Sequence, residues 1–265
     1  NFRPFVVAGQ RVGWVRHGFA ERLVRFGDTF DVMREAVRLS DRFADFKTRS
    51  EALEKVVRTL EAEGNIKGRR DEYYPLSTAF SAPPLARIER AAIPAFGVRA
   101  YGVHMNGYVR KADGIHMWIG RRAKGKHTYP GMLDNMVAGG QPMGIGLREN
   151  LVKECKEEAA IPEALARKAV PVGAITYCME AEDGLKPDVQ FCYDLELPAD
   201  FVPRNTDGEI DEFMLWPIAK VAEIVSETRE FKFNCNLVII DFLVRHGLID
   251  PEHPDYLDIV AGLRR

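Results

Sequence analysis

The sequence lacks most features that assign a protein quickly. Its four cysteines, Cys155, Cys178, Cys192 and Cys235, form no C-x-x-C pair, so no redox dithiol or zinc knuckle is expected. They read as small buried hydrophobes in a reducing compartment, with the cytoplasm as default. Six histidines include no H-x-x-x-H or H-E-x-x-H spacing, which argues against a zinc hydrolase, and no G-x-S-x-G elbow offers a serine nucleophile. No apolar run reaches about 18 residues, so no membrane-spanning helix is expected. A formal net charge of −2 gives no electrostatic case for a nucleic acid polymer or a membrane surface as partner. The opening run NFRPFVVAGQRVGW is too short in its apolar part for a secretion signal. The chain begins at Asn1 without Met, and a leader removed upstream is compatible with that.

What is present is the balance of a folded protein, 265 residues with 46% hydrophobic and 29% charged, enough for one large domain or two modest ones. Residues Phe5–Val15 pattern as a hairpin around Ala8-Gly9-Gln10. Phe19–Phe26 and Asp31–Leu39 pattern as helices. Thr48-Arg-Ser-Glu51 reads as a capping box that opens a helix running to Gly64. Prolines 75, 83, 84 and 94 punctuate an irregular connection with a short helix at Ala86–Ala91.

From Val98 the texture turns to strands: Val98–Val109 and Ile115–Gly120 around the turn at Asp113-Gly114, then Leu133–Val137. A hairpin of Val172–Ala181 and Val189–Leu197 follows, and after it Ile210–Trp216. Pro217 is placed to start a helix over Ile218–Val225, and Asn236–His246 forms a last helix ended by Gly247, before a Pro-containing tail. The expected organisation is a small N-terminal α/β accessory module at 1–92, a core at 93–232 and a C-terminal helical extension at 233–265. Its class is α+β with a mixed β-sheet.

Two glycine-rich stretches invite phosphate readings. Gly120-Arg-Arg-Ala-Lys-Gly125-Lys126 approximates a P-loop, but His127 stands at the Ser/Thr position and Thr128-Tyr-Pro-Gly131 cannot open the required helix. Arg121, Arg122 and Lys126 remain phosphate-contact candidates, weighed against a solvated basic loop. Gly144-Ile-Gly146 lacks the third glycine of a dinucleotide fingerprint, because Glu149 stands there and would repel a pyrophosphate. His104 and His116 fall on strands and read as sheet residues.

The segment after Gly139-Gly140 carries more. Glu154, Glu157 and Glu158 stand at i, i+3 and i+4, so on a helix Glu158 lies about 40° from Glu154 on one side and Glu157 about 60° on the other. Leu147, Leu151, Cys155 and Ala159 form an adjoining apolar stripe. Three carboxylates on one face repel one another, and a hard divalent cation would relieve that. The competing reading is an ordinary acidic outer face, with Lys153 pairing to Glu149 and Glu157.

With Gly139-Gly140 at its fixed distance upstream, this segment resembles the Nudix box: G, five residues, E, seven residues, then R-E-apolar-x-E-E-x-G-apolar. Aligned on Gly139, the chain supplies Glu154, Cys155, Glu157, Glu158 and Ile161, and departs at Ile145, Lys153 and Ala160. A Glu149–Lys153 pair is expected to stand in for the missing Glu and Arg as structural support. The runs KHTYPGMLDNMVAGGQPMGIGLRENLVKECKEEAAIP and FKFNCNLVIIDFL further resemble the Nudix domain found beside thiamine pyrophosphokinase.

The resemblance implies an α/β/α sandwich core. It also implies metal-dependent hydrolysis of a small diphosphate, with thiamine diphosphate or its oxo and oxy analogues as leading substrates. Glu154, Glu157 and Glu158 would hold Mg²⁺ or Mn²⁺, and Gly139 and Gly140 would admit the ligand. The general base would be Glu158 or a later acid, Glu212 in preference to Glu209. Tyr177, Phe191 or Tyr193 would stack on an aromatic group. The alternatives are a Nudix enzyme for oxidised nucleoside triphosphates or nucleotide sugars, and a non-catalytic ligand-binding protein. The N-terminal module would wall the pocket or form a homodimer contact.

Overall fold

A computed structural model describes residues 1–126 and 128–264, so His127 in the P-loop-like stretch lies outside the described residues. The chain divides into two units.

The first unit comprises Asn1–Tyr101, Pro142–Gly144 and Tyr177–Val189. Alternating burial builds its sheet: Phe5 and Val7 of β1 (Phe2–Val7) and Val12 and Val15 of β2 (Gln10–Arg16) are buried. Ala8 and Gly9, both with positive φ, join these strands, as a two-residue hairpin turn demands. A helix α1 (His17–Leu23) runs on through a 3₁₀ turn at Val24–Phe26. Asp31–Leu39 is not the expected helix. It forms β3 (Phe30–Val32) and β4 (Val37–Leu39), paired antiparallel, with Phe30, Val37 and Leu39 buried and Asp31 and Arg38 exposed. Period-two burial overrides the helical pattern there. The four strands order β2-β1-β4-β3, with β1 and β4 parallel.

The next helix, α2 (Phe46–Ala62), starts one turn before the expected cap. Asp45, extended at φ −129°, accepts the Thr48 N–H at 2.8 Å, and its own N–H donates to Thr48 Oγ1 at 3.3 Å. Thr48 is thus the third residue of the helix, and Asp45 caps it as well as Thr would. Ala86–Ala91 is likewise not a helix. Ala86–Glu89 is a strand, β6, paired with β5 (Tyr73–Leu76), and a 3₁₀ turn at Arg90–Ala92 leads to α3 (Ile93–Phe96). Ala86 and Ile88 turn inward around an exposed Arg87, a strand's period. Phe5, Phe30 and Phe96 meet at the centre of this unit, with ring centroids 5.0 to 6.2 Å apart.

The second unit comprises Gly102–Gln141, Ile145–Thr176 and Gln190–Arg265. Lying wholly or in part within it are the strands β7 (Tyr101–Lys111), β8 (Gly114–Arg122), β9 (Leu133–Asn135), β10 (Val137–Gly140), β11 (Val170–Ala181), β12 (Gly184–Glu196) and β13 (Ile210–Pro217). The order β11-β12-β7-β8-β13, with β10 on β7 and β9 on β8, makes one seven-stranded sheet. The N–H groups of Val189 and Leu197 donate to Ala100 and Tyr108 oxygens. Both partners advance by eight residues, so β12 and β7 run parallel while β7 and β8 are antiparallel. The sheet is therefore mixed, as expected.

Helices cover both its faces. Val103, Met105, Met136 and Val137 pack with Leu151, Cys155 and Ala159 of α4 (Leu147–Ala159), beside which lies α5 (Glu163–Ala166). Met117, Ile119 and Leu133 pack with Val221 of α6 (Ile218–Glu227) and with Cys235, Ile239 and Phe242 of α7 (Phe233–Arg245). This is the α/β/α sandwich. Pro217 caps α6 rather than occupying its first turn. The tail holds a short helix that the sequence did not signal, α8 (Tyr256–Gly262).

Ala160 ends α4 in the left-handed region at φ 53°, while the Ile161 N–H closes back to Cys155 O at 3.0 Å. An L-residue there costs about 1–2 kcal/mol, which glycine largely avoids at some entropic cost. Ala160→Gly is therefore expected to stabilise the chain by roughly 0.5–1 kcal/mol, raising Tm by about 1–4 °C in a thermal melt.

Candidate metal and catalytic site

The site is built where α4 lies on β10. Gly139 sits opposite Val103 in the β10–β7 ladder. A Cβ at Gly139 would fall 2.4 Å from Cγ and Cδ of Glu154. The missing side chain is what admits the glutamate stem. Gly140 contributes its carbonyl, which accepts from Asn150 Nδ2 at 2.8 Å. The first turn of α4 is thereby tied to the strand.

The three glutamates then differ in setting. Lys153 Nζ lies 3.0 Å from Glu154 Oε1 and 3.1 Å from Glu157 Oε2, so both carboxylates converge on one cation. The two carboxylates beside it carry Lys153 up to about 12 against partial burial. Glu158 is buried, and Ala138 N–H donates to its Oε2 at 2.8 Å. Burial pushes its carboxyl well above the usual carboxylate range. Asp134, Glu154 and Glu209 push the same way, and only the Ala138 N–H opposes them. Hard oxygens converging around a buried acid with acidic neighbours are the donor set a hard divalent cation takes. The residues present therefore fit Mg²⁺ or Mn²⁺ at Glu154, Glu157 and Glu158.

The expected Glu149–Lys153 pair does not form. Both Glu149 oxygens take Arg167 at 3.0 Å, and Arg167 also holds Glu163 at 2.8 Å. A guanidinium fork outcompetes a lysine one turn away because it satisfies both oxygens at once. Glu149 thus joins α4 to α5, while Lys153 serves the glutamates.

The basic candidates separate in the same way. Arg122 is buried, donating to Asp134 Oδ2 at 2.7 Å and to the Thr128 and Tyr129 carbonyls, so it is a structural strut and not a phosphate contact. Arg121 donates to Gly131 O at 3.2 Å, and Lys126 pairs with Glu209. No helix follows Gly120–Lys126 among the described residues, so the P-loop reading fails.

Glu209 lies close enough to raise Glu158, and Lys126 neutralises it. Glu212 is exposed in register with Arg121. Its neighbour Phe213 turns to the α4 face, so strand alternation turns Glu212 to the other. Glu212, the expected later acid, therefore faces away from α4. Phe191 and Tyr193 pack in the core under α4, with the Arg148 guanidinium 5.6 Å from the Tyr193 ring. Tyr177 belongs to the first unit, where its hydroxyl donates to Asp188 at 3.0 Å.

A second cluster was invisible to spacing rules, because its members are far apart in sequence. Ligand atoms of His104, Asp134 and Cys235, all buried, lie within 4.8 Å of one another. His104 Nδ1 faces Asn135 Oδ1 at 2.9 Å, and its Nε2 faces Asn234 Nδ2 at 3.3 Å. Cys235 donates its thiol proton to Asp134 Oδ1 at 2.7 Å. Burial lowers His104 to about 4. It also raises Asp134, but Lys232 and Arg122 outweigh that and hold Asp134 at about 2. With every atom partnered and two cations already on the carboxylate, the trio fits a buried polar network and not a metal.

The close fit at Gly139 gives a test with little effect on folding, because the clashing atoms end a flexible side chain. Gly139→Ala is expected to weaken Mn²⁺ binding about tenfold or more, with Tm nearly unchanged. Titration of free Mn²⁺ by electron paramagnetic resonance checks it.

Residues 1–100 match a family described as a domain of unknown function, DUF4743. Nudix hydrolase 20, chloroplastic, of Arabidopsis thaliana is 48% identical over 274 residues, and Nudix hydrolase 24, chloroplastic, of the same plant is 49% identical over 266 residues. Each alignment takes in 100% of this chain and 73% of the relative. An uncharacterized Saccharomyces cerevisiae protein is 33% identical over 258 residues, covering 91% of this chain and 75% of that protein. With relatives of that identity aligned along its whole length, the chain belongs to the Nudix hydrolase family.

Proposed function

We propose that this chain hydrolyses the diphosphate linkage of a small organic diphosphate at the face formed by Glu154, Glu157 and Glu158, with Mg²⁺ or Mn²⁺ as cofactor. The observation that carries the reading is the convergence of Glu154 and Glu157 on one ammonium at 3.0 and 3.1 Å beside buried Glu158. A bound divalent cation would neutralise the diphosphate and activate water.

The chain's own part is positional. Glu154 is seated by Gly139, and Glu158 is aimed by the Ala138 N–H. Glu209, held by Lys126, is the better-placed acid from the later segment to take a water proton. Because Glu158 must lose its proton to bind metal, affinity falls as the pH drops below its raised pKa.

For the substrate we favour thiamine diphosphate or its oxo and oxy analogues. This rests on the likeness of the 126–162 and 231–243 stretches to the domain found beside thiamine pyrophosphokinase. Oxidised nucleoside triphosphates and nucleotide sugars would use the same carboxylates. For the compartment, the cytoplasm stays the proposal from four unpaired cysteines, although two relatives bear chloroplastic in their names. Among the described residues no helix is long and apolar enough to cross a membrane.

Phosphate release from thiamine diphosphate and its analogues, run beside a nucleotide panel with Mg²⁺, tests the proposal. Turnover of the thiamine compounds is expected, with Glu157→Gln and Glu158→Gln each reducing it by at least about 100-fold. Turnover of nucleotides alone would move the substrate to the second class. No turnover by the parent on any compound, with binding intact, would favour a ligand-binding protein.

A further inference from the structure

Three residues of α4, each four apart, meet three successive residues of β10. Asn150 Nδ2 donates to Gly140 O at 2.8 Å, the Glu154 stem lies over Gly139, and Glu158 Oε2 accepts the Ala138 N–H at 2.8 Å. Positions i, i+4 and i+8 line one face of a helix, and residues two apart on a strand turn their backbone groups to the same edge. The contacts therefore run as a ladder between helix and strand. Two rungs are glutamates of the proposed metal face, and Asn150 is the third.

That third rung is braced from two sides. Asn150 is 0% exposed, and its Nδ2 also reaches Gln141 Oε1 at 3.1 Å. Gln141 in turn donates to Ile145 O at 2.6 Å. One pair of amides thus holds the chain both where it leaves β10 and where it approaches α4. Ile145 stands where the box carries its first Glu, and the Glu149–Lys153 pair expected in its place does not form. With Nδ2 directed at two oxygens, Asn150 Oδ1 is turned away, buried and without a donor among the described residues. An unpaired buried acceptor is destabilising, and leucine, branched at the same atom, would avoid it. What asparagine adds here is the pair of N–H donors and the register they fix.

The other polar rung cannot hold that register alone. The Ala138 N–H is satisfied by an oxygen of Glu158, one of the carboxylates proposed to bind the ion. Asn150 carries no charge, and its N–H donors cannot ligate a cation. We propose that Asn150 is a positioning residue for the metal site, whose amide sets the register of α4 on β10 and so places Glu154 and Glu158. The assignment rests on the metal reading of the glutamate face and deepens it.

Electron paramagnetic resonance of the full chain titrated with Mn²⁺ tests this without requiring turnover. It reads the affinity, the number of ions held at saturation and the line shape of the bound ion. Asn150→Leu is expected to weaken Mn²⁺ about ten- to one-hundredfold, with the parental number of ions at saturation and an altered line shape. A purely structural role would instead lower the number of ions held and leave the affinity and line shape of the remainder as in the parent. If Asn150→Leu does not fold, a crystal structure of the parent with Mn²⁺ decides, with Nδ2 expected to stay within about 3.2 Å of Gly140 O. Parental affinity in Asn150→Leu, fewer ions at parental affinity, or an Asn150 that has left Gly140 to put Oδ1 on the ion would each overturn the positioning role while the metal reading stands. A parent that binds no Mn²⁺ would overturn both.

Discussion

The glutamate face of the second unit depends on how closely the Glu154 stem can lie against β10. Glycine at 139 is what permits it, since any side chain there would occupy the space of the Glu154 stem. That approach brings the acidic face of the helix to the edge of the sheet, and the Ala138 N–H reaches Glu158. The apolar stripe of Leu151, Cys155 and Ala159 supplies the stabilisation for the same contact, being fully buried against Val103, Met105 and Met136. One helix therefore pays in charge repulsion on one side for what it gains in burial on the other. A cation at the carboxylates removes the repulsion, and Lys153 already does part of that task.

Departures from the Nudix box are absorbed locally. Lys153 replaces Arg and bridges two of the glutamates, while Glu149 turns to Arg167 and fastens α4 to α5. Ala160 keeps the left-handed turn that glycine would take without strain. The strand holds two of the α4 carboxylates directly, Glu154 against Gly139 and Glu158 on the Ala138 N–H.

Much of this was legible in the sequence, and the reasons are physical. A 3.6-residue apolar stripe and an i, i+3, i+4 acidic set both belong to one continuous helix, so local spacing was enough to place Glu154, Glu157 and Glu158 along one face of it. The strands of the second unit announced themselves by β-branched runs and Asp-Gly turns. Short elements in the first unit did not. Phe30–Val32, Val37–Leu39 and Ala86–Glu89 are three or four residues long, and partners from distant sequence decide their conformation. The Asp45 cap was missed because a second good capping residue, Thr48, lay three positions on.

Side-chain partners were the least legible. Arg122 and Lys126 looked like phosphate ligands in a basic loop, yet Asp134 and Glu209, brought from elsewhere by the fold, bind them. Only the fold shows that Lys232, a lone cation in sequence, lies 3.8 Å from Asp134. The network of His104, Asp134 and Cys235 could equally have been taken for the metal site, and that rivalry bears on the central claim. Anomalous diffraction from crystals soaked in Mn²⁺ tests it most directly. The account predicts a peak at the α4 face, with oxygens of at least two of Glu154, Glu157 and Glu158 about 2.1–2.3 Å from it. A peak among His104, Asp134 and Cys235, with none at α4, would contradict it.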